Sequence, residues 1–183
     1  MEFDCDSDEL IYIKKLTPET KLLMKRHNRI HLDLFEDDYN LINYSDYPNW
    51  IQISFGCGFN HDFDLSYNIN LVFANFNDAK KFNKSIDGRL PEQLKILYLG
   101  TSFNQPVDNL PNTLEILHLS GKEYEHNLNM LPDSILELWI LTPVIKQDIF
   151  KLPAKLITFA SNKRTRERFE KVLQNETKRV FYG

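Results

Sequence analysis

Cysteine is nearly absent, with only Cys5 and Cys57 in 183 residues. Two thiols cannot build a disulfide framework, and their scarcity points to a reducing compartment. Long apolar runs are missing as well. No stretch approaches the ~18 consecutive apolar residues of a transmembrane helix, so no membrane partner is expected. Residues 1–9 are acidic and hold neither the basic start nor the apolar run of a signal peptide. These absences predict a cytoplasmic protein. A strong charge of one sign is lacking too: 22 Lys and Arg against 26 Asp and Glu leave a net −4, no electrostatic reason to expect nucleic acid. No serine elbow, phosphate loop, paired-carboxylate pattern or dinucleotide fingerprint occurs, so neither enzyme activity, catalytic residues nor a cofactor is expected. Glycosylation-type triplets at Asn43, Asn83 and Asn175 follow, without a secretory signal, from the asparagine-rich composition.

The composition that remains is ordinary for one buried domain, 42% apolar and 26% charged. Its arrangement is not ordinary, because the chain repeats. Leu90 and Pro91 open a unit of 20 residues that continues through Leu94, Leu97, Leu99, Gly100, Phe103, Asn104, Pro106 and Val107 to Asn109. Leu110 and Pro111 open the next, with Leu114, Leu117, Leu119, Tyr124 and Leu128 in the matching places. Leu131 and Pro132 open a third, with Ile135, Leu138, Ile140, Ile145 and Ile149. Leu152 and Pro153 open a fourth, with Leu156 and Phe159. Fainter copies precede these: Ile51, Ile53 and Phe55 after Pro48, then Ile69, Leu71 and Phe73, and earlier Ile30, Leu32 and Leu34. The pattern predicts about seven strands.

Leu97 and Leu99 alternate with period two, so both leave one face of a strand. A strand this short cannot bury that face alone. Stacking neighbouring units at ~4.8 Å pairs their backbones in a parallel ladder and joins the leucine columns into one core. Proline suits the turn into each strand, Gly100 and Gly56 a tight bend at the exit, and Phe103 and Val107 the far wall of the core. So short a unit leaves irregular or 3-10 backbone on the convex side. Thr17 followed by Pro18 marks a helix start. Residues 162–178 form a charged helix with Phe169, Val172 and Leu173 on one face. The expected fold is therefore an α/β, leucine-rich-repeat-like solenoid with a parallel strand stack on its concave face. Residues 1–28 form an N-terminal cap, 29–161 the repeats and 162–183 a C-terminal helical cap, all in one domain.

The run from Leu90 to Val107, with Phe103, Asn104, Gln105 and Pro106 standing for its signature tetrad, resembles the FNIP repeat. This relative of the leucine-rich repeat is known from social amoebae and giant DNA viruses of amoebae. The likeness is strong over residues 90–129 and recognisable over 47–159. Beyond Asn104 its asparagine position becomes Glu125 and then Lys146, so asparagine bonding cannot continue there. The resemblance implies an interaction protein, in host cytoplasm if the chain is viral. Some viral members carry an N-terminal F-box, and residues 16–24 are faintly similar to one. A substrate receptor of a ubiquitin ligase and a self-assembling structural or virion-associated protein are therefore the alternatives to a plain binding scaffold.

Sharper chemical readings each meet a simpler one. His27 and His31 have helical metal-pair spacing, but residues 30–34 alternate as a strand and no third ligand matches, so no metal is expected. Cys57 with His61 could be nucleophile and base, yet glycines 56 and 58 and Phe59 already belong to the repeat. Lys163, Arg164, Arg166, Arg168 and Lys171 form a basic run that Glu167 and Glu170 dilute, as on a solvated helix face. The informative surface is the concave one. Ile96, Tyr98, Ile116, His118, Glu137 and Trp139 lie between the buried leucines, with Tyr98, His118 and Trp139 expected in one exposed row. His31, Asp33, Gln52, Ser54, Asn70 and Val72 should continue it toward the N-terminus. A row of aromatics is typical of an interaction hot spot, so a protein partner, with self-association as a further possibility, is expected there.

Overall fold

The computed structural model describes residues 9–34, 36–173 and 179–182. In chain order the elements are β1 (Leu10–Ile13), α1 (Pro18–Arg26), β2 (Arg29–Leu32), two 3-10 turns (Glu36–Leu41 and Tyr44–Asp46), β3 (Gln52–Phe55) and β4 (Phe73–Asn75). Then come β5 (Ile96–Leu99), β6 (Ile116–Leu119), β7 (Glu123–Tyr124), β8 (Glu137–Ile140), β9 (Val144–Ile145), β10 (Thr158–Ser161), α2 (Lys163–Leu173) and β11 (Arg179–Tyr182).

The turns that launch the strands repeat first. The N–H of Leu94 donates to the Pro91 carbonyl at 3.1 Å, Leu114 to Pro111 at 3.0 Å, Ile135 to Pro132 at 3.2 Å and Leu156 to Pro153 at 3.1 Å. Proline serves because this position needs a carbonyl and a preset φ rather than a donor. Two earlier coils make the same turn without it, Trp50 to Tyr47 at 3.4 Å and Leu71 to Asn68 at 2.9 Å. Asn68 is fully buried, and its Nδ2 donates to the Tyr47 carbonyl of the coil before at 2.6 Å. That bond joins one coil's turn to the next.

Among the described residues the strands form one parallel nine-stranded sheet in the order β1-β2-β3-β4-β5-β6-β8-β10-β11. Ile30, Ile53, Ala74, Leu97, Leu117, Leu138 and Phe159 share one buried column. Leu32, Phe55, Leu99, Leu119 and Ile140 form a second. Such a ladder of stacked coils around one core is a leucine-rich-repeat-like solenoid. Its far wall is an aromatic spine. Tyr39, Phe59, Phe82 and Phe103 follow one another with centroids 4.9, 5.3 and 5.9 Å apart, and Tyr124 takes the next place. Irregular and 3-10 backbone carries most of this wall. The β7–β9 pair adds a two-stranded ladder among the later coils.

Beside the spine runs a polar ladder. The N–H of Asn83 donates to Asn60 Oδ1 at 3.1 Å, that of Asn104 to Asn83 Oδ1 at 2.8 Å and that of Glu125 to Asn104 Oδ1 at 3.0 Å. Each asparagine satisfies a backbone donor of the following coil, which strand pairing does not reach. At Glu125 an ion pair with Lys146 takes over.

Three differences from the sequence reading have physical reasons. The sheet has nine strands rather than seven, because segments 1–28 and 162–183 each contribute a strand as well as a helix. The expected helix chemistry is present: Thr17 Oγ1 accepts from the Thr20 N–H at 3.2 Å, Met24 is buried, and Phe169 packs against Phe159 with centroids 4.7 Å apart. However, α1 lies between β1 and β2 in the chain, and α2 between β10 and β11, so a strand stands outermost at each edge. Second, the strand placed at residues 69–73 begins at Phe73, and Ile53 faces Ala74 rather than Leu71. Leu71 instead fills the turn position of Leu94, and Ile69 is exposed. Third, Gly100 is required by approach rather than by a bend. Its φ is not positive, but a Cβ there would lie 2.5 Å from the Phe76 carbonyl oxygen of the preceding coil.

Candidate functional site

Alternation along each strand decides what the open face of the sheet presents. In β5 the buried Leu97 and Leu99 force Ile96 and Tyr98 outward. β6 turns out Ile116 and His118, and β8 turns out Glu137 and Trp139. The register sets these as two straight rows: Ile96, Ile116 and Glu137 in one, Tyr98, His118 and Trp139 in the other. All six sequence-predicted residues therefore lie together on three adjacent strands.

The aromatic row is packed on itself. Tyr98 stacks on His118 with centroids 4.0 Å apart and planes 21° from parallel, and His118 stacks on Trp139 at 5.0 Å and 30°. All six side chains are half-buried rather than freely exposed, and in the aromatic row each ring covers part of the next. Burial between the two rings pulls the His118 pKa below the ordinary histidine value, against an upward pull from the Glu137 carboxylate. A neutral imidazole is thus favoured within the stack. Glu137 Oε2 sits 3.5 Å from Trp139 Nε1, a weak contact that leaves the carboxylate accessible. Beside the Ile96 row, Lys95 Nζ pairs with Glu115 Oε1 at 2.8 Å.

One member was missed. Phe73 stands opposite Ile96 and meets Tyr98 edge-on with centroids 5.1 Å apart, while Asn75 stands opposite Tyr98. These two, not Asn70 and Val72, are the outward residues of β4. Asn70 Nδ2 donates to the Pro48 carbonyl at 3.2 Å, and Val72 precedes the strand. The deviation from the proline pattern at Asn68 was the available signal. Farther along, Ser54 and Asn75 interrupt the aromatic row, which resumes with His31 and Tyr12 at 4.9 Å. Asp33 lies past the end of β2, against Gly56.

The other candidates are not brought together. His27 is buried at the end of α1, with Nδ1 3.0 Å from the Leu23 carbonyl, whereas His31 lies on the open face. Cys57 is exposed, and His61 is turned to Asn40 Oδ1 at 3.1 Å and stacked on Tyr39. Arg168 of the basic run lies 3.6 Å from Asp148. Among the described residues no helix is long and apolar enough to cross a membrane.

Comparison with known proteins adds two likenesses. Residues 82–122, from the spine's Phe82 through β5 and β6, match the model of the FNIP Repeat family. Among solved structures the chain is similar to the crystal structure of CroV588, described as a novel circular LRR protein, at 15% identity and a TM-score of 0.36. That likeness covers 80% of this chain and 35% of the other, so this chain spans well under two thirds of that protein's length. No curated protein matches.

Proposed function

We propose that this FNIP repeat-containing protein is a non-enzymatic scaffold that holds a protein partner on the open face of its sheet, in the cytoplasm. The observation that carries the reading is the stacked row of Tyr98, His118 and Trp139, met edge-on by Phe73 from the neighbouring row of Ile96 and Ile116. Tyrosine and tryptophan are enriched at binding hot spots, and rings already held by their neighbours lose little rotamer freedom when a partner covers them. Glu137 and the Lys95–Glu115 pair supply the polar groups at the margin that orient a partner. Affinity capture from native host lysate with wild type and with Tyr98→Ala/Trp139→Ala tests the reading. It stands if a partner is lost while the double variant melts as a folded protein. An unchanged partner set overturns it.

A second reading, substrate receptor of a ubiquitin ligase, draws on α1, where Leu22 and Leu23 are 49% and 41% exposed. It requires residues 16–24 to recruit a cullin adaptor, and failure to do so in a pull-down with purified adaptor removes it.

A further inference from the structure

We propose that copies of this chain associate head to tail, the free edge of β1 in one copy pairing in parallel with the free edge of β11 in the next. Both helices sit inside the terminal coils, so among the described residues neither outer edge of the sheet is covered by another strand. The Ile13 carbonyl accepts from the Asp33 N–H at 2.9 Å, which turns the backbone groups of Ile13 and Ile11 toward β2. Alternation then points those of Leu10 and Tyr12 to the open side. Edge strands are ordinarily protected by charge, proline or a bulge. Leu10, Ile11, Tyr12 and Ile13 supply none of these, and β11 holds no proline and only Arg179.

The apolar surface at the β1 end tells the same story. Tyr12 is 63% exposed on the open face, and Leu22 and Leu23 of α1, in the same coil, are exposed as well. Ile11 belongs to the column of Ile30 and Ile53, both fully buried, yet is itself only partly buried for want of the next coil.

The complementary surface is already in the molecule. Every junction in the main sheet is parallel and in one register, so the last edge of the stack is the partner that the first edge lacks. Continuing that register sets Tyr12 opposite Phe181 and Ile13 opposite Tyr182, with the Tyr12 N–H at the Val180 carbonyl. Such a contact joins two different surfaces, so it leaves one edge of each kind open and permits chains longer than a dimer. Assembly would also carry the open face from copy to copy and present its ring rows multivalently.

Sedimentation velocity on the purified chain over a wide concentration range tests the proposal without any other partner. Tyr12→Pro and Val180→Pro each remove one N–H that points to an open edge, and neither removes a donor from the internal ladder. Wild type is expected to grow with concentration into dimers and longer species, and each variant to stay monomeric. An equimolar mixture of the two retains one good β11 edge and one good β1 edge, and is expected to stop at a one-to-one dimer. Should either proline variant fail to fold by circular dichroism, Tyr12→Lys/Phe181→Lys replaces it, setting like charges across the junction. Wild type that stays monomeric at its highest soluble concentration overturns the proposal, as does assembly that persists in the folded variants.

Discussion

Adding one methyl group at residue 100 should destabilise the solenoid by more than its size suggests. Gly100 does not adopt a positive φ, so an alanine meets no left-handed strain there. The obstacle is the coil before it. A Cβ would stand 2.5 Å from the Phe76 carbonyl oxygen and 3.1 Å from that of Asn77, where ordinary contact begins at 3.4 Å. The Phe76 carbonyl must therefore retreat by about 0.9 Å or the strand must shift, and neither group is the end of a flexible side chain. That carbonyl also accepts the Ala79 N–H at 3.1 Å, in the turn that leads to Phe82 of the aromatic spine. Overpacking costs ~1–3 kcal/mol and a weakened hydrogen bond about 1, so Gly100→Ala should cost about 2–4 kcal/mol. At ~2–4 °C per kcal/mol for a chain of this size, the melting temperature should fall by on the order of 10 °C. Gly88→Ala is the control, since Gly88 has φ 65° and nothing within 4 Å of an added Cβ. Only the left-handed penalty of ~1–2 kcal/mol applies there. Urea and thermal unfolding followed by circular dichroism measure both. If Gly100→Ala costs less than Gly88→Ala, the close approach of the coils is wrong.

Leu117 is fully buried between Leu97 and Leu138 in a ladder whose spacing is set by backbone pairing, so the hole left by Leu117→Ala cannot close easily. A cost in the upper part of the ~2–5 kcal/mol range is expected in urea unfolding, and Leu117→Asp should not fold. Asn83→Ala removes the acceptor of the Asn104 N–H and of Gln105 Nε2. With water able to reach this exposed ladder, the loss should be about 0.5–1.5 kcal/mol, measurable together with faster amide exchange at residue 104. His118 gives a pH dependence. Its folded pKa lies below the ordinary 6.5, so the unfolded chain takes up a proton more readily than the folded one. Its contribution is therefore complete above 6.5 and is lost as pH falls from 6.5 toward the folded pKa. The urea midpoint of His118→Gln should decline less over that window than that of wild type.

How much of this could be read beforehand depended on proline. Where Pro91, Pro111, Pro132 and Pro153 mark each turn, the strand positions, the buried leucines and the outward pairs on β5, β6 and β8 all followed from alternation. At β4 the turn is built on Asn68, which bonds to the previous coil instead of carrying a preset φ, and the inward residue is Ala74 rather than leucine. Ile69, Leu71 and Phe73 meanwhile imitate a strand, so the register slipped by three and Phe73 was missed. β1 and β11 were hidden for another reason. β1 is followed by α1 instead of the spine and asparagine signals that identify the others, and β11 is preceded by α2 instead of a Leu-Pro turn. The half-burial of Tyr98, His118 and Trp139 depends on ring-to-ring stacking across strands, which alternation along one strand does not express.

A partner held on the ring row must lose affinity when the row loses its rings. The most direct measurement titrates the captured partner against wild type and the folded Tyr98→Ala/Trp139→Ala variant by calorimetry. Two hot-spot rings lost together should weaken binding by at least ~2 kcal/mol, roughly thirtyfold in Kd. Equal affinity for both proteins, with both equally folded, would move the binding surface off the open face of the sheet.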